Sequence, residues 1–196
     1  MMGATAVLAA DLASGAVHWA EDAYARPDTP IVGKLIANAN IEHHVRPRAF
    51  VTRGWLESSW DLLLVGAVVL AGAACLDVLT WPVWLFVACA VNANQIHKWS
   101  HQNAQENGRI VTFLQKIKLL QTQRHHAQHH RGLKDTHYCS ITNVLNPVLD
   151  ELGFWRGLER MIEKLTGMQR RPDPTVPTML TKSGHALRPE PGSSPV

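Results

Sequence analysis

Four histidines, His125, His126, His129 and His130, fall within the run HHAQHH, in a chain that has 11 histidines among 196 residues. On a helix, His126, His129 and His130 stand at i, i+3 and i+4, so their rings share a face, and His125 reaches the same edge through His129. His97 and His101 are likewise four apart. His43 and His44 are adjacent and cannot share a helix face, yet they can serve two metals or bend at a helix end. His18 stands alone near the N-terminus. Neutral imidazole is the commonest side-chain ligand for zinc, iron and copper. Nine such groups exceed what one tetrahedral zinc accepts, which argues for two metals.

Two chemistries remain open to such a pair. Zinc would activate water for hydrolysis, and iron would activate dioxygen, which can take hydrogen from an unactivated methylene. No Gly-x-Ser-x-Gly elbow and no His-Glu-x-x-His motif occurs, so the choice leans toward iron. A pH-sensing patch would not need so regular a spacing.

Long elements must bring these groups together. Asp61 to Ile96 reads DLLLVGAVVLAGAACLDVLTWPVWLFVACAVNANQI, with Asp61 and Asp77 its only charges. A membrane span takes about 20 apolar residues. The stretch therefore predicts two short tilted spans joined around Asp77 to Pro82; the alternative is a buried hairpin in a soluble fold. GATAVLAADLASGAVHWA is a third candidate span. No Lys or Arg precedes Arg26, which argues against a signal peptide. Asp11, in its middle, is expensive in hydrocarbon and is expected to face a polar interior. Asp11, His18 and Asp22 lie along one helix face, and Ser14 and Gly15 on that stripe let another helix come close.

A chain that crosses once, leaves and returns puts all the histidine clusters on one side. All 19 Lys and Arg lie in 26–53 and 98–196, and none near Asp77, so the positive-inside rule places the histidines in the cytoplasm. Ile110, Phe113, Leu114 and Ile117 repeat at helical spacing and predict an amphipathic interfacial helix carrying the HHAQHH cluster at its far end. A second such helix is expected to start with Asn146 as cap and Pro147 in the first turn, and to end at Gly167. Residues 1–168 thus form one domain, and 169–196, rich in Pro, Gly and Ser, a disordered tail in which His185 is a bystander. The fold class expected is all-α, an integral membrane helical bundle with about three short spans.

Composition excludes other classes. The net charge of +3 is mild and the basic residues are scattered, which suits an anionic lipid surface and gives no nucleic-acid footprint. Cys75, Cys89 and Cys139 are odd in number and widely spaced, so neither a disulfide framework nor a Cys-x-x-Cys site is read from them.

Beyond spacing, DLASGAVHWAEDAY, PIVGK, EHHVRP, NQIHKWSH, HHAQHH, HYCSITNVLNP and GFWRGLERMIEKLTG occur in that order. Over roughly residues 8 to 170 these resemble the Kua-type lipid desaturases, the plasmanylethanolamine desaturase group with its plastid relative acting on phosphatidylglycerol. The resemblance implies a membrane diiron enzyme that uses O2 and electrons from an external carrier, a cytochrome b5 or ferredoxin type, to desaturate a phospholipid-linked chain. Conversion of an alkyl-ether (plasmanyl) to a vinyl-ether (plasmenyl) phospholipid is the expectation, with acyl-phospholipid desaturation, hydroxylation and metal-dependent hydrolysis as alternatives. Its iron ligands would be His18, His43, His44, His97, His101, His125, His126, His129 and His130. Asp22 matches an Asp of the family's His-Trp-x-x-Asp stretch and would be a ligand or its partner, with Asp11 and His137 as further candidates. Animal members carry a histidine where this chain has Lys134 and Asp135, which leaves the role of the displaced His137 open. The compact Ala- and Arg-rich chain suits a bacterial inner membrane, or an endoplasmic reticulum membrane if eukaryotic.

Overall fold

The computed structural model describes residues 1–31 and 33–176, and every regular element among them is helical. Helix α1 spans Met2–Tyr24. Its buried face runs Ala6, Ala10, Asp11, Gly15, His18, Trp19 and Asp22, a helical repeat that carries small residues at its N-terminal end and polar ones toward its C-terminal end. A π-helical turn, Gly33–Ala37, leads into α2 (Asn38–Val45).

Helix α3 (Trp55–Cys75) is, among the described residues, the one helix long and apolar enough to cross a membrane. Only small side chains on it are buried, Ser58, Ser59, Gly66 and Ala73, whereas Leu56, Leu64, Val65 and Val68 are exposed. A sharp turn reverses the chain into α4 (Trp81–Val91), apolar and shorter, with Pro82 in its first turn where a missing N–H costs nothing. α1 and α3 both pack along α4. After a break at Asn92 the chain continues as α5 (Ala93–Ser100). α1 thus runs toward the histidine end, α3 away from it and α4 back to it, so His18, His43, His44, His97 and His101 meet at one end of the bundle.

Two elements differ from expectation. The helix expected to run into HHAQHH instead ends early: α6 (Ala104–Lys116) carries a kink at Gly108, where φ is 69°, and Lys118 adopts a positive φ. Only one turn, α7 (Gln123–His126), follows, so non-helical turns rather than a regular helix bring His126, His129 and His130 to the histidine end. The second expected helix is also divided, into α8 (Leu145–Glu151) and α9 (Phe154–Thr166), by Gly153 at φ 62°. Asn146 lies inside α8, fully buried, and is not a cap: its amide brackets Cys139, accepting from Cys139 N and donating to Cys139 O. Gly167 does close α9, in a left-handed conformation.

Between α7 and α8 an irregular strap, residues 136–143, crosses the buried face of α1. Asp11 holds it: one carboxylate oxygen accepts from Ile141 N (2.8 Å) and Thr142 N (3.2 Å), the other from Thr142 Oγ1 (2.5 Å). Gly15 allows the approach, since a Cβ there would stand 2.6 Å from Cys139 Sγ. Trp19, Tyr138, Cys139 and Trp155 close the core on the α9 side. Residues 169–176 fall within the stretch read as a tail, yet they lie against the bundle. Arg170 pairs with Glu159, Arg171 N donates to Ala23 O, and Val176 is buried. Residues 177–196, with His185 and most of the expected tail, lie outside the described residues.

Candidate metal centre

Two groups of side chains form at the histidine end, and within each the ligand-type atoms lie within 4.8 Å of one another. The first unites His18, Asp22, His44 and His129, all buried. Here every ring has its outer nitrogen committed. His18 Nδ1 donates to Tyr138 O (3.1 Å), His129 Nδ1 to Thr136 O (2.8 Å) and His44 Nδ1 to the Asp173 carboxylate (2.5 Å). Those bonds fix the tautomer and leave an unprotonated Nε2 on each ring. The three Nε2 atoms converge on Asp22 Oδ2, at 3.6, 3.5 and 3.4 Å from His18, His44 and His129.

The second group unites His43, His97, His101, His126 and His130. His126 Nε2 lies 2.9 Å from His97 Nε2 and 3.1 Å from His130 Nε2, and His101 Nε2 lies 3.3 Å from His97 Nε2. His43 fills the remaining side, its ring centroid 4.7 Å from those of both His97 and His101. The adjacent pair on α2 therefore divides, His43 to one group and His44 to the other. The groups adjoin, with the His129 and His130 centroids 5.3 Å apart.

Burial decides the protonation state. It pushes His43, His97 and His126 well below the ordinary imidazole range, and His101 down to about 4, neighbouring rings adding to the effect. All are neutral at pH 7, the form a metal requires.

This donor set fits metal ions. Ring nitrogens about 2.1 Å from one ion stand about 3 Å apart, which matches the observed spacing. In the first group the outward-committed Nδ1 atoms turn His44 Nε2 and His129 Nε2 toward each other at 3.2 Å, the arrangement of two ligands facing one ion. Among the described residues, His18 Nε2, Asp22 Oδ2 and both nitrogens of His43 are buried without a hydrogen-bond partner. Buried polar atoms left so are costly, and a cation between them removes the cost.

Three residues anticipated at the site stand elsewhere. His125 turns from both groups: its Nε2 accepts from Asn146 Nδ2 (3.2 Å) and its ring packs 5.0 Å from that of His137. His137 in turn pairs with Asp150 at 2.8 Å, in a left-handed backbone conformation. Asp11 binds the strap, as described above. Lys134 donates to Thr175 Oγ1 and to His44 O, and Asp135 pairs with Arg156. Sequence reasoning missed Asp173. It lies in a Pro-rich stretch without periodicity, and its bond to His44 joins residues 129 apart in sequence.

A cavity of about 610 Å³ opens beside the groups and reaches His18, His43 and His97. Along α3 it passes from Glu57 and Asp61 to Val65, Gly66 and Val69, while Phe86, Val87 and Ala90 of α4 wall its other side. From Glu57 to Val69 the helix rises about 18 Å. The cavity is thus polar at the histidine end and apolar deeper in.

Fold and site together define a class: a helical bundle with paired histidine groups competent for two metal ions beside a long, mostly apolar cavity. The family profile described as Lipid desaturase domain matches residues 7–173, and the chain belongs to that family. Plasmanylethanolamine desaturase 1 of Mus musculus is 37% identical over 179 residues, covering 85% of this chain and 65% of the relative. Plasmanylethanolamine desaturase of Myxococcus xanthus is 33% identical over 174 residues, covering 85% and 61%. Fatty acid desaturase 4, chloroplastic, of Arabidopsis thaliana is 31% identical over 177 residues, covering 87% and 54%. The chain thus spans less than two thirds of the length of these three relatives. No solved structure matches it.

Proposed function

We propose that the chain is an integral membrane diiron desaturase that converts plasmanyl to plasmenyl phospholipid. The observation that carries the reading is the convergence of eight imidazoles and Asp22 in two adjoining groups beside a mostly apolar cavity. The names of the mouse and Myxococcus relatives support this choice of substrate. Imidazole with carboxylate suits iron. His18, Asp22, His44 and His129 would hold one ion, and His43, His97, His101, His126 and His130 the other. A bound iron pair supplies dioxygen activation strong enough to take hydrogen from an unactivated methylene.

The protein's own part is positioning. The alkyl chain would lie along α3 and α4 in the cavity, with the ether-linked carbons near the histidines because the headgroup stays at the polar mouth by Arg53, Glu57 and Asp61. Two hydrogens leave adjacent carbons. With two electrons from a carrier of cytochrome b5 or ferredoxin type and two protons from solvent, O2 becomes two waters. The apolar walls keep bulk water from the reacting carbons.

α1, α3 and α4 would be the three spans, with the exposed apolar residues of α3 meeting lipid. α6 and α9 would lie at the interface, exposing Ile110, Phe113, Met161 and Leu165. The Lys and Arg distribution supports a cytoplasmic histidine end. The desaturase unit is residues 1–168 together with the docked stretch through Asp173.

Acyl-phospholipid desaturation is the second reading, supported by the Arabidopsis relative. Lipid mass spectrometry of an expressing host separates the two. An acid-labile vinyl ether, lost in His126→Ala and His129→Ala variants, is the expected result. A new double bond in an ester-linked chain would favour the second reading, and an unchanged lipid profile would overturn both.

A further inference from the structure

The Nδ1 atoms of the first group are held unequally. For His18 and His129 the acceptor is a backbone carbonyl of the strap. For His44 it is a carboxylate, Asp173, delivered from more than a hundred residues away. That carboxylate is itself fixed: its other oxygen accepts from Thr175 N (2.7 Å) and Thr175 Oγ1 (2.6 Å). Lys134, two residues before the strap, then bonds Thr175 and the carbonyl of His44, so α2, Lys134 and residues 173–175 are clamped around one ring. Its neighbours commit the rest of the stretch, through Arg171 to α1 and Arg170 to α9.

Among the described residues nothing comparable supports the second group: His43 Nδ1, His126 Nδ1 and His130 Nδ1 are buried without a partner there, and no carboxylate belongs to that group. A carboxylate on the far nitrogen of a metal-bound imidazole orients the ring and raises its basicity, and its removal typically costs about 10–100-fold in metal affinity.

We propose that Asp173 is a positioning residue that aims His44 at a metal ion, and that it makes the two groups unequal, the His18–Asp22–His44–His129 group holding its ion more tightly. The inference rests on the reading of the histidine groups as metal ligands and is independent of which lipid is the substrate. Residues 169–176 are on this view part of the centre.

The test is a metal titration of the full chain, purified in detergent, stripped with chelator and refilled with Co²⁺, whose visible absorption reports each binding step. Wild-type protein is expected to fill in two steps of different affinity. In Asp173→Ala the tighter step weakens by about 10–100-fold while the other is unchanged. Asp173→Asn, which keeps an acceptor for His44 Nδ1–H and loses the charge, gives a smaller loss in the same step. His129→Ala assigns that step by abolishing it. Wild-type affinities in Asp173→Ala overturn the proposal, as does an equal loss at both steps, the mark of a merely structural clamp. A lowered melting temperature of the metal-free Asp173→Asn protein, with both steps unaltered, also overturns it. No lipid or electron donor is present in this titration, so its failure is distinct from failure of the desaturase reading.

Discussion

Asp11 occupies the middle of an apolar helix, is fully buried, and has both oxygens engaged by the strap. Its position explains a carboxylate that hydrocarbon alone would not tolerate: three donors of an irregular segment have no other acceptor there. Asp11→Ala strands those donors at about 1–3 kcal/mol each, and is expected to lower the unfolding midpoint sharply and release metal, because the strap carries the Thr136 and Tyr138 carbonyls that aim His129 and His18. Asp11→Asn keeps an acceptor for the amides and costs about 1 kcal/mol. Equal losses in the two variants, measured by thermal melts and metal content, would contradict this account. His125 gives a second test at this scale. His125→Gln, which retains an acceptor for Asn146, is expected to keep the wild-type metal content, whereas His126→Ala loses it; metal loss in His125→Gln would return that residue to the ligand set.

Among the elements, the contact of α3 with α4 is the most sensitive, because α4 leads directly into the α5 turn that bears His97 and His101. Gly66 sets that contact. A Cβ there would lie 2.8 Å from Val91 Cγ2 and 3.0 Å from Val87 Cγ1, and both are buried on α4. Gly66→Ala should therefore destabilise by about 1–3 kcal/mol, the range for overpacking, and weaken the step assigned to the second group more than that of the first. A titration in which only the first step moves would show that the α4 hinge does not set His97. Helix existence was legible from the 61–96 hydropathy and from the helical repeat of α1, since long apolar periods leave a strong local signal. Where α6 stops was not legible. Its apolar repeat continues to Leu120, and a kink at Gly108 and left-handed turns at Lys118, Lys134 and His137 are set by tertiary contacts rather than by local pattern. Helical spacing grouped His126, His129 and His130; turns bring them to the same end of the bundle but divide them, His129 to the first group and His126 and His130 to the second. The same rule misplaced His125, whose partner Asn146 is on another element. Asp173 left no trace in periodicity.

At the scale of the whole molecule the centre opposes the fold unless metal is present. Eight imidazoles, seven of them buried, and one carboxylate face one another, with several atoms lacking any hydrogen-bond partner among the described residues, so a ligand that binds only the folded chain stabilises it by mass action. Each ion present at about a hundred times its dissociation constant adds about 2.7 kcal/mol. Chelation should thus lower the melting temperature, and iron or cobalt restore it. Acid should act on the metal-free protein in a definite direction. Unfolded histidines take up protons near pH 6.5, whereas burial holds folded His101 neutral down to about 4 and pushes His43, His97 and His126 well below the ordinary range. The unfolded chain therefore binds more protons than the folded one between those limits, and stability must fall as pH drops through that window. Melts of the chelated protein from pH 7.5 to 4.5 are expected to decline steadily below about pH 6.5, and the metal-loaded protein to resist that decline until its ions are displaced by protons. A chelated protein whose melting temperature is flat across the window would mean that the imidazoles are not buried together, and that the centre assembles only when metal arrives.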